Sequence, residues 1–450
     1  MADVTAPVDA SASAPALVAA GRRRYVLILL MIAYTLSFLD RQVLSILVEP
    51  IEHDLHITDK AIGILTGPIF VIFYTFLGIP IAWLADRFSR PIIITVSLTL
   101  WSGFTAFSGM VTSFLPLAIA RLGVGFGEAG CNPSSHSLIA DMSTPHQRAS
   151  GLSFYSLGVP IGTLLGLAMG GLIADAYGWR TAFLVAAAPG LVLALVIAFT
   201  TREVRPNRPI ASLAQAFVLP VKDLIQVLGE LKSKPTFWYA ALGSGFSAFV
   251  GYAYIYFTPS FFLRCHAGEV AAIAATMGLK SKGFVGPALG LMTGIGGLAG
   301  TLIGGIVADR AVTRDRRIFM SLPAITAVIY IPVVIVIFTL KSTLPAMLLL
   351  LIPNAIATVW YGPVYSTAQS VVPPHRRATA AALLLLILNL IGLGFGPTFL
   401  GALSDYFAVQ QHMGPAEGLR WAMVVTGCFS ILAALFFWLG RATVREDVVS

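Results

Sequence analysis

The sequence predicts an all-α, polytopic membrane protein of twelve spanning helices arranged as two six-helix bundles. Three observations carry that prediction. Of 450 residues, 57% are hydrophobic and only 11% charged, with a mean hydropathy of +0.84, a composition typical of chains that live mostly in lipid. The apolar residues gather into twelve runs near the length that crosses a hydrocarbon core of ~30 Å at 1.5 Å per residue. Short motifs also recur at nearly constant offset: PHQRA at 145–149 returns as PHRRA at 374–378, GLIAD at 171–175 as GALSD at 401–405, and AWLADR at 82–87 as GIVADR at 305–310. A parallel repeat of six helices folds as two related bundles with a cavity between them.

Each element follows from local chemistry. Residues 1–24, rich in Ala, Ser and Pro, read as a mobile tail ending in the basic cluster Arg22 to Arg24. The apolar run behind it is too long for a signal-peptide core, so it is the first span. The spans are expected at 25–47, 61–84, 91–111, 115–139, 149–174 and 181–200, and then at 236–263, 285–308, 318–340, 343–370, 378–402 and 419–440. The polar break at 201–235 separates the bundles 25–200 and 236–440. After Pro220, Val221, Leu224, Ile225 and Leu228 fall on one helical face, so this linker is expected to hold an amphipathic helix on the inner membrane surface. Residues 264–283 form a longer connection suited to a short helix, and 441–450 a second tail.

With the N-terminus inside, 20 of the 29 Lys and Arg fall in cytoplasmic segments, six on the opposite side and three within helices. That bias places both termini in the cytoplasm of a multi-pass plasma (inner) membrane protein. It also accounts for the net charge of +8 without nucleic acid as a partner. Cys131, Cys265 and Cys428 are far apart in sequence and suggest neither a disulfide framework nor a metal site. The glycine patterns GVGFGEAG at 123–130 and GIGGLAG at 294–300 lie in apolar runs with no strand before them, so close helix packing explains them better than a nucleotide loop. No GxxxxGK[ST] loop or HExxH motif is present, and no cofactor is expected.

The chemistry concentrates where charges enter apolar runs. RLGVGFGEAGCNPSSHS at 121–137 carries Arg121 and Glu128 two turns apart on one face, and the first span carries Asp40 and Arg41. Four such charges facing lipid would cost about 10 to 14 kcal/mol, so they should face the bundle interior or a water-filled cavity. Counting rise along the spans puts Asp40 and Arg121 at nearly one level and Glu128 deeper. If the first and fourth spans are neighbours, Asp40 is expected to pair with Arg121 or Arg41, leaving Glu128 with less compensation. Asp40 and Glu128 are the expected proton carriers, with Arg41 and Arg121 as charge partners. Aromatic residues with polar edges supply a wall for an amphipathic ligand: of Tyr252, Tyr254 and Tyr256 in the seventh span Tyr254 is chosen, with Tyr361 and Tyr365 from the tenth. Ser37, Asn132, Ser135, His136 and Asn389 are the polar candidates.

AWLADRFSR at 82–90 resembles the signature loop between the second and third helices of the major facilitator superfamily. Leu84, Asp86, Arg87 and Arg90 match it, whereas Ala82 and Ser89 stand where glycines are usual. SFLDRQVLSILVEPI in the first span and RLGVGFGEA in the fourth resemble, more narrowly, the spinster branch, whose animal members export sphingosine phosphate or lysophospholipids. The resemblance implies the major facilitator fold and an inner gate. There Asp86, with Arg87 and Arg90, would meet the start of the eleventh helix near Arg377 to Ala380. Asp309, with Arg310, would do the same at the fifth near Arg148 to Ser150. The expected function is secondary active transport by alternating access, proton-coupled, of a small amphipathic or lipid-like solute, by a monomer that is not an enzyme and has membrane lipids around it. A porter of a sugar or organic anion, held by the arginines, is the second reading; the repeated gate loops argue against a membrane-embedded lipid-modifying enzyme, and a passive channel is disfavoured because the sequence shows no charged ring or filter-like loop.

Overall fold

In the computed structural model, residues 20–85, 87–204, 226–312, 315–373 and 376–447 are described. Among these the side chains of 79, 82, 83, 145, 146, 149, 305, 306, 308–312 and 378 are left aside. The tail at 1–19, most of the linker at 205–225 and the last residues 448–450 lie outside the description. So do Val221, Leu224 and Ile225 of the expected amphipathic helix.

Among the described residues, twelve helices are long and apolar enough to span a membrane: Ala20–Ile46, Asp59–Gly78, Arg90–Ser108, Phe114–Asp141, Ser150–Tyr177, Trp179–Thr200, Pro235–Cys265, Ser281–Gly304, Ile318–Thr339, Thr343–Ser370, Thr379–Gln410 and Gly414–Asp447. They are numbered as spans 1 to 12. Each falls where its apolar run predicts. The first and last are longer than expected, because hydropathy marks the lipid-crossing portion while the helical hydrogen-bond ladder continues into basic residues. Arg22 to Arg24 are helical rather than part of a tail, and Asp447 accepts from the Thr236 amide at 2.9 Å, tying the end of span 12 to the start of span 7.

Several spans are broken, and proline explains where. Pro50, Pro133, Pro160, Pro353 and Pro363 each lack the amide that would bond the carbonyl four residues back. The helical segments accordingly stop at Ile46, Glu128, Ser156, Leu349 and Val359. In span 4 the carbonyl left unbonded by Pro133 is that of Ala129, and the segment ends one residue before it, at Glu128.

With an even number of spans, both described ends lie on one face, called here the termini side; the opposite face is the far side. The connection after span 7 contains the helix Ala267–Thr276, as its length suggests. At the described end of the linker, residues 226–231 are helical, and Val227 and Leu231 are fully buried against Phe237. The Trp238 indole donates to the Leu231 carbonyl at 2.9 Å, so this end packs onto the second bundle.

The glycine-rich runs pack helices closely. A methyl group at Gly127 would lie 2.6 Å from the Trp101 amide nitrogen, and one at Gly300 would lie 1.9 Å from the Ala355 carbonyl oxygen. Both leave room only for hydrogen.

Candidate functional site

Asp40, Arg41, Arg121 and Glu128 are all buried, at 2%, 8%, 1% and 2% exposure. The pairing differs from the depth argument. Glu128, not Asp40, takes the arginine: Arg41 Nε donates to Glu128 Oε2 at 2.9 Å, and Ser37 Oγ donates to the same oxygen at 3.0 Å. Ser37 and Arg41 are four residues apart on one face of span 1, which is why both reach one acceptor. The long arginine side chain spans the difference in depth that Cα counting treats as separation. Its guanidinium also lies over Phe70 and Tyr74 of span 2, at 4.9 and 4.8 Å from the ring centroids, a cation–π arrangement.

Asp40, one residue away, points elsewhere. Its Oδ2 accepts from Thr105 Oγ1 of span 3 at 2.9 Å, and its Oδ1 has no hydrogen-bond partner among the described residues. Glu128 Oε1 and all three guanidinium nitrogens of Arg121 are likewise buried without one. Arg121 sits 5.5 Å from the Phe70 ring centroid, in electrostatic reach of Tyr256, Glu128 and Asp40. The four charges sum to zero when all are ionised. Three of the four nevertheless keep buried polar atoms that a proton, an ion or a rearranged partner can satisfy.

Tyrosines surround the cluster from both bundles. Tyr34 stacks on Tyr155 at 4.4 Å, and Tyr155 donates its hydroxyl to Asn132 Oδ1, while Asn132 Nδ2 donates to the Tyr74 hydroxyl at 3.3 Å. His136 is exposed and meets Tyr155 edge-on at 5.4 Å. From span 10, Tyr361 stacks on Trp360 at 4.1 Å and on Tyr365 at 6.5 Å. Tyr361 is 41% exposed yet lies within electrostatic reach of Tyr34, Tyr252 and Tyr365, which places it on an open cleft between the bundles rather than on the lipid face.

Tyr254 is not part of this wall. Its hydroxyl donates to the Met423 carbonyl of span 12 at 2.7 Å, and its ring packs with Tyr330 and Phe338. Tyr252 and Tyr256, four residues apart, share the opposite face and reach Arg41 instead. Alternate tyrosines on a helix cannot all face one way. Ser135 is fully buried, 3.9 Å from Cys131 and within hydrogen-bonding reach of Tyr155. Asn389 is half-buried and opens a π-helical turn, Asn389–Phe395, of the kind often found at functional sites. Tyr34 and Tyr74 were missed, though Tyr34 precedes Arg41 by seven residues and so shares its face. An apolar groove of about 690 Å³ between spans 1 and 6 is lined by Leu29, Leu36, Leu184, Pro189 and their neighbours, and contains none of this chemistry.

The bundles meet on the far side and part toward the termini side. Between spans 5 and 8, a methyl built on Gly286 would lie 2.1 Å from the Leu167 carbonyl oxygen; on Gly290, 3.0 Å from Leu164; on Gly294, 3.9 Å from the Pro160 carbonyl. Spans 2 and 11 widen in the same sense, from 2.2 Å at Gly401 to 2.4 Å at Gly63 and 2.8 Å at Gly67. Polar ties seal the far side. Asp175 accepts from Lys282 Nζ at 2.9 Å and the Gly283 amide at 2.6 Å, and Arg264 of span 7 is held by Glu49, Glu52 and Asp59 of the first bundle.

Of the expected inner gate, Asp86 lies outside the described residues, and the side chains of Asp309 and Arg310 are left aside. The Arg87 amide bonds the Leu84 carbonyl at 2.9 Å. Arg90 is fully buried within the first bundle, paired with Asp141 of span 4 and with Glu203 at the start of the linker. In this state it fastens the loop to its own bundle.

The family model of the Major Facilitator Superfamily matches residues 30–397. An MFS-type efflux pump of Mycolicibacterium smegmatis is 32% identical over 415 residues, covering 92% of each chain. Protein spinster homolog 3 of Danio rerio is 27% identical, covering 98% of this chain and 89% of its own. A sphingosine-1-phosphate transporter of the same fish is 24% identical over 92% and 84%. Among solved structures, a bacterial homolog of the human lysosomal transporter spinster, inward-facing and unoccupied, superposes with a TM-score of 0.82 at 32% identity, covering 96% of this chain and all of that one.

Proposed function

The chain belongs to the major facilitator superfamily and is similar in particular to its spinster branch, and from that premise we propose that this transporter is a proton-coupled carrier of a small amphipathic, lipid-like solute. It works by alternating access, with the termini side cytoplasmic. The observation that carries the reading is the central cluster. Glu128 is bonded by Arg41 and Ser37 through one oxygen and keeps the other without a partner, beside a cleft walled by tyrosines.

A proton on Glu128 cancels the attraction that fixes Arg41, and Arg41 is then free to serve Asp40 or the cargo. Because the site is shielded from water, that exchange changes the energy of the arrangement far more than it would in bulk solvent. One proton moved through 100 mV supplies about 2.3 kcal/mol, enough for a concentration ratio on the order of 50-fold. The tyrosines offer flat apolar faces to a chain and hydroxyls to a head group.

A second reading, a porter of organic anions, is favoured by Arg121 alone: a buried guanidinium with three unpartnered nitrogens suits a carboxylate or phosphate. Both are tested by purified protein in vesicles with an imposed pH difference and a panel of lysolipids, sphingoid phosphates and sugar acids. The proposal expects an amphipathic member to accumulate unmodified and a protonophore to abolish its accumulation. Accumulation of sugar acids alone selects the second reading, and uptake indifferent to the pH difference rejects coupling.

A further inference from the structure

The far-side tie around Arg264 contains more acid than base. Arg264 Nε donates to Glu49 Oε1 at 2.7 Å; Nη2 donates to Glu52 Oε2 at 2.6 Å and to Asp59 Oδ1 at 2.9 Å; Nη1 donates to Asp59 Oδ2 at 2.8 Å. Ser404 of span 11 adds a bond to Asp59 at 2.6 Å, and Asp405 accepts the Lys60 amide at 3.0 Å. The side chains of Arg264, Glu52 and Asp59 are 11%, 12% and 6% exposed. One guanidinium thus faces three carboxylates drawn from the other bundle, an excess of two negative charges in a largely enclosed space.

We propose that this tie is a proton-loaded latch: Glu52 takes up one proton from the far side as the bundles close there and returns it to that side as they open. The geometry places the proton. Glu52 Oε2 faces Arg264, whereas Oε1 is buried with no donor among the described residues. A hydroxyl at that oxygen turns an unsatisfied acceptor into a donor and removes one of the two surplus charges. Glu49 is the more exposed acid, at 28%, and Asp59 holds two arginine nitrogens and a serine, so neither is the better site. Burial first, and then the neighbouring Asp59 charge, push the Glu52 carboxyl up to about 10 in the closed latch. Once the latch opens to water, Glu52 returns to the ordinary carboxylate range near 4.3. The proton belongs to the closed state, so falling far-side pH favours closure and rising pH favours opening. It enters and leaves on one face and so is never carried across. The latch gates the carrier and adds nothing to its coupling.

The proposal rests on alternating access, so its test is made in a background where the central carboxylates are silent. In Asp40→Asn/Glu128→Gln protein reconstituted in bilayers, spin labels at the exposed residues Met110 and Met277, 68% and 60% accessible, report the far-side separation of the bundles. The closed-to-open ratio is expected to rise by up to tenfold per unit fall in pH between the two values above. Adding Glu52→Gln, whose amide donates as the acid does, is expected to keep the far side closed and remove most of the pH response; what remains belongs to Glu49, whose carboxyl burial also pushes up, while His53, His56 and Asp59 are unchanged. Opening of the far side by Glu52→Gln at neutral pH, as Arg264→Ala is expected to produce, would show that the ionised pair is what holds the latch and overturns the proposal. A flat pH response in the Asp40→Asn/Glu128→Gln protein with Glu52 intact overturns it independently. Neither result bears on proton coupling at Glu128.

Discussion

At Glu128 a single carboxylate oxygen gathers an arginine and a serine from one face of span 1, and this is the contact most exposed to single-residue change. Ser37→Ala removes one of those donors and is expected to lower stability by about 1 kcal/mol, read as a lower melting temperature in detergent. Tyr254 gives a sharper contrast. Tyr254→Phe loses only the bond to the Met423 carbonyl, so it is expected to cost about 1 kcal/mol of stability and leave cargo KM unchanged. Tyr252→Ala and Tyr361→Ala are expected to raise KM several-fold with little change in melting. An unchanged KM in both alanine variants would remove the tyrosines from the cargo route. The charged residues were legible at this scale because an ionised group in an apolar run has few physical excuses. Their pairing was not legible, because rise per residue locates Cα atoms while arginine reaches across a turn. The choice of Tyr254 over Tyr252 and Tyr256 failed because which face of span 7 meets the cleft depends on the packing of spans 10 and 12, which no local pattern records.

The spans were legible as elements because each must bury its backbone bonds internally and be apolar for about 20 residues. Their breaks were not legible, because Pro189, Pro259, Pro287, Pro323 and Pro332 sit inside helices that continue through them. The sliding seams between bundles were hidden: the glycines are visible in the sequence, but not which helix each one meets. Those seams carry the next prediction. Gly286→Ala places a methyl 2.1 Å from a backbone oxygen in the state described, and overpacking of that kind costs about 1 to 3 kcal/mol. It is expected to open the far side of spans 5 and 8, seen as a longer distance between the Met110 and Met277 labels. Gly294→Ala, with 3.9 Å to spare, is expected to leave that distance unchanged. An equal response of the two variants would mean that the far-side glycines do not set closure.

Across the whole molecule, the repeat offsets foretold two bundles, and the distribution of lysine and arginine predicts that the termini side is cytoplasmic. Which side of the bundles is shut could not be read, because both conformations use the same helices and differ only in rigid-body tilt. The same sequence must make the far-side tie strong enough to hold and weak enough to release, which is why surplus acid rather than matched ion pairs surrounds Arg264. Labelling tests the assigned orientation: a cysteine in place of Met277 is expected to react with an impermeant thiol reagent from outside intact cells, and protection there would invert the topology.

The most direct test of proton exchange at the central carboxylates separates cargo movement from proton movement in the same vesicles. Wild-type protein is expected to acidify or alkalinise the vesicle lumen when cargo is added. Glu128→Gln protein is expected to exchange labelled for unlabelled cargo at equilibrium while moving no protons. Proton flux of wild-type size in a folded, exchanging Glu128→Gln protein would contradict the account.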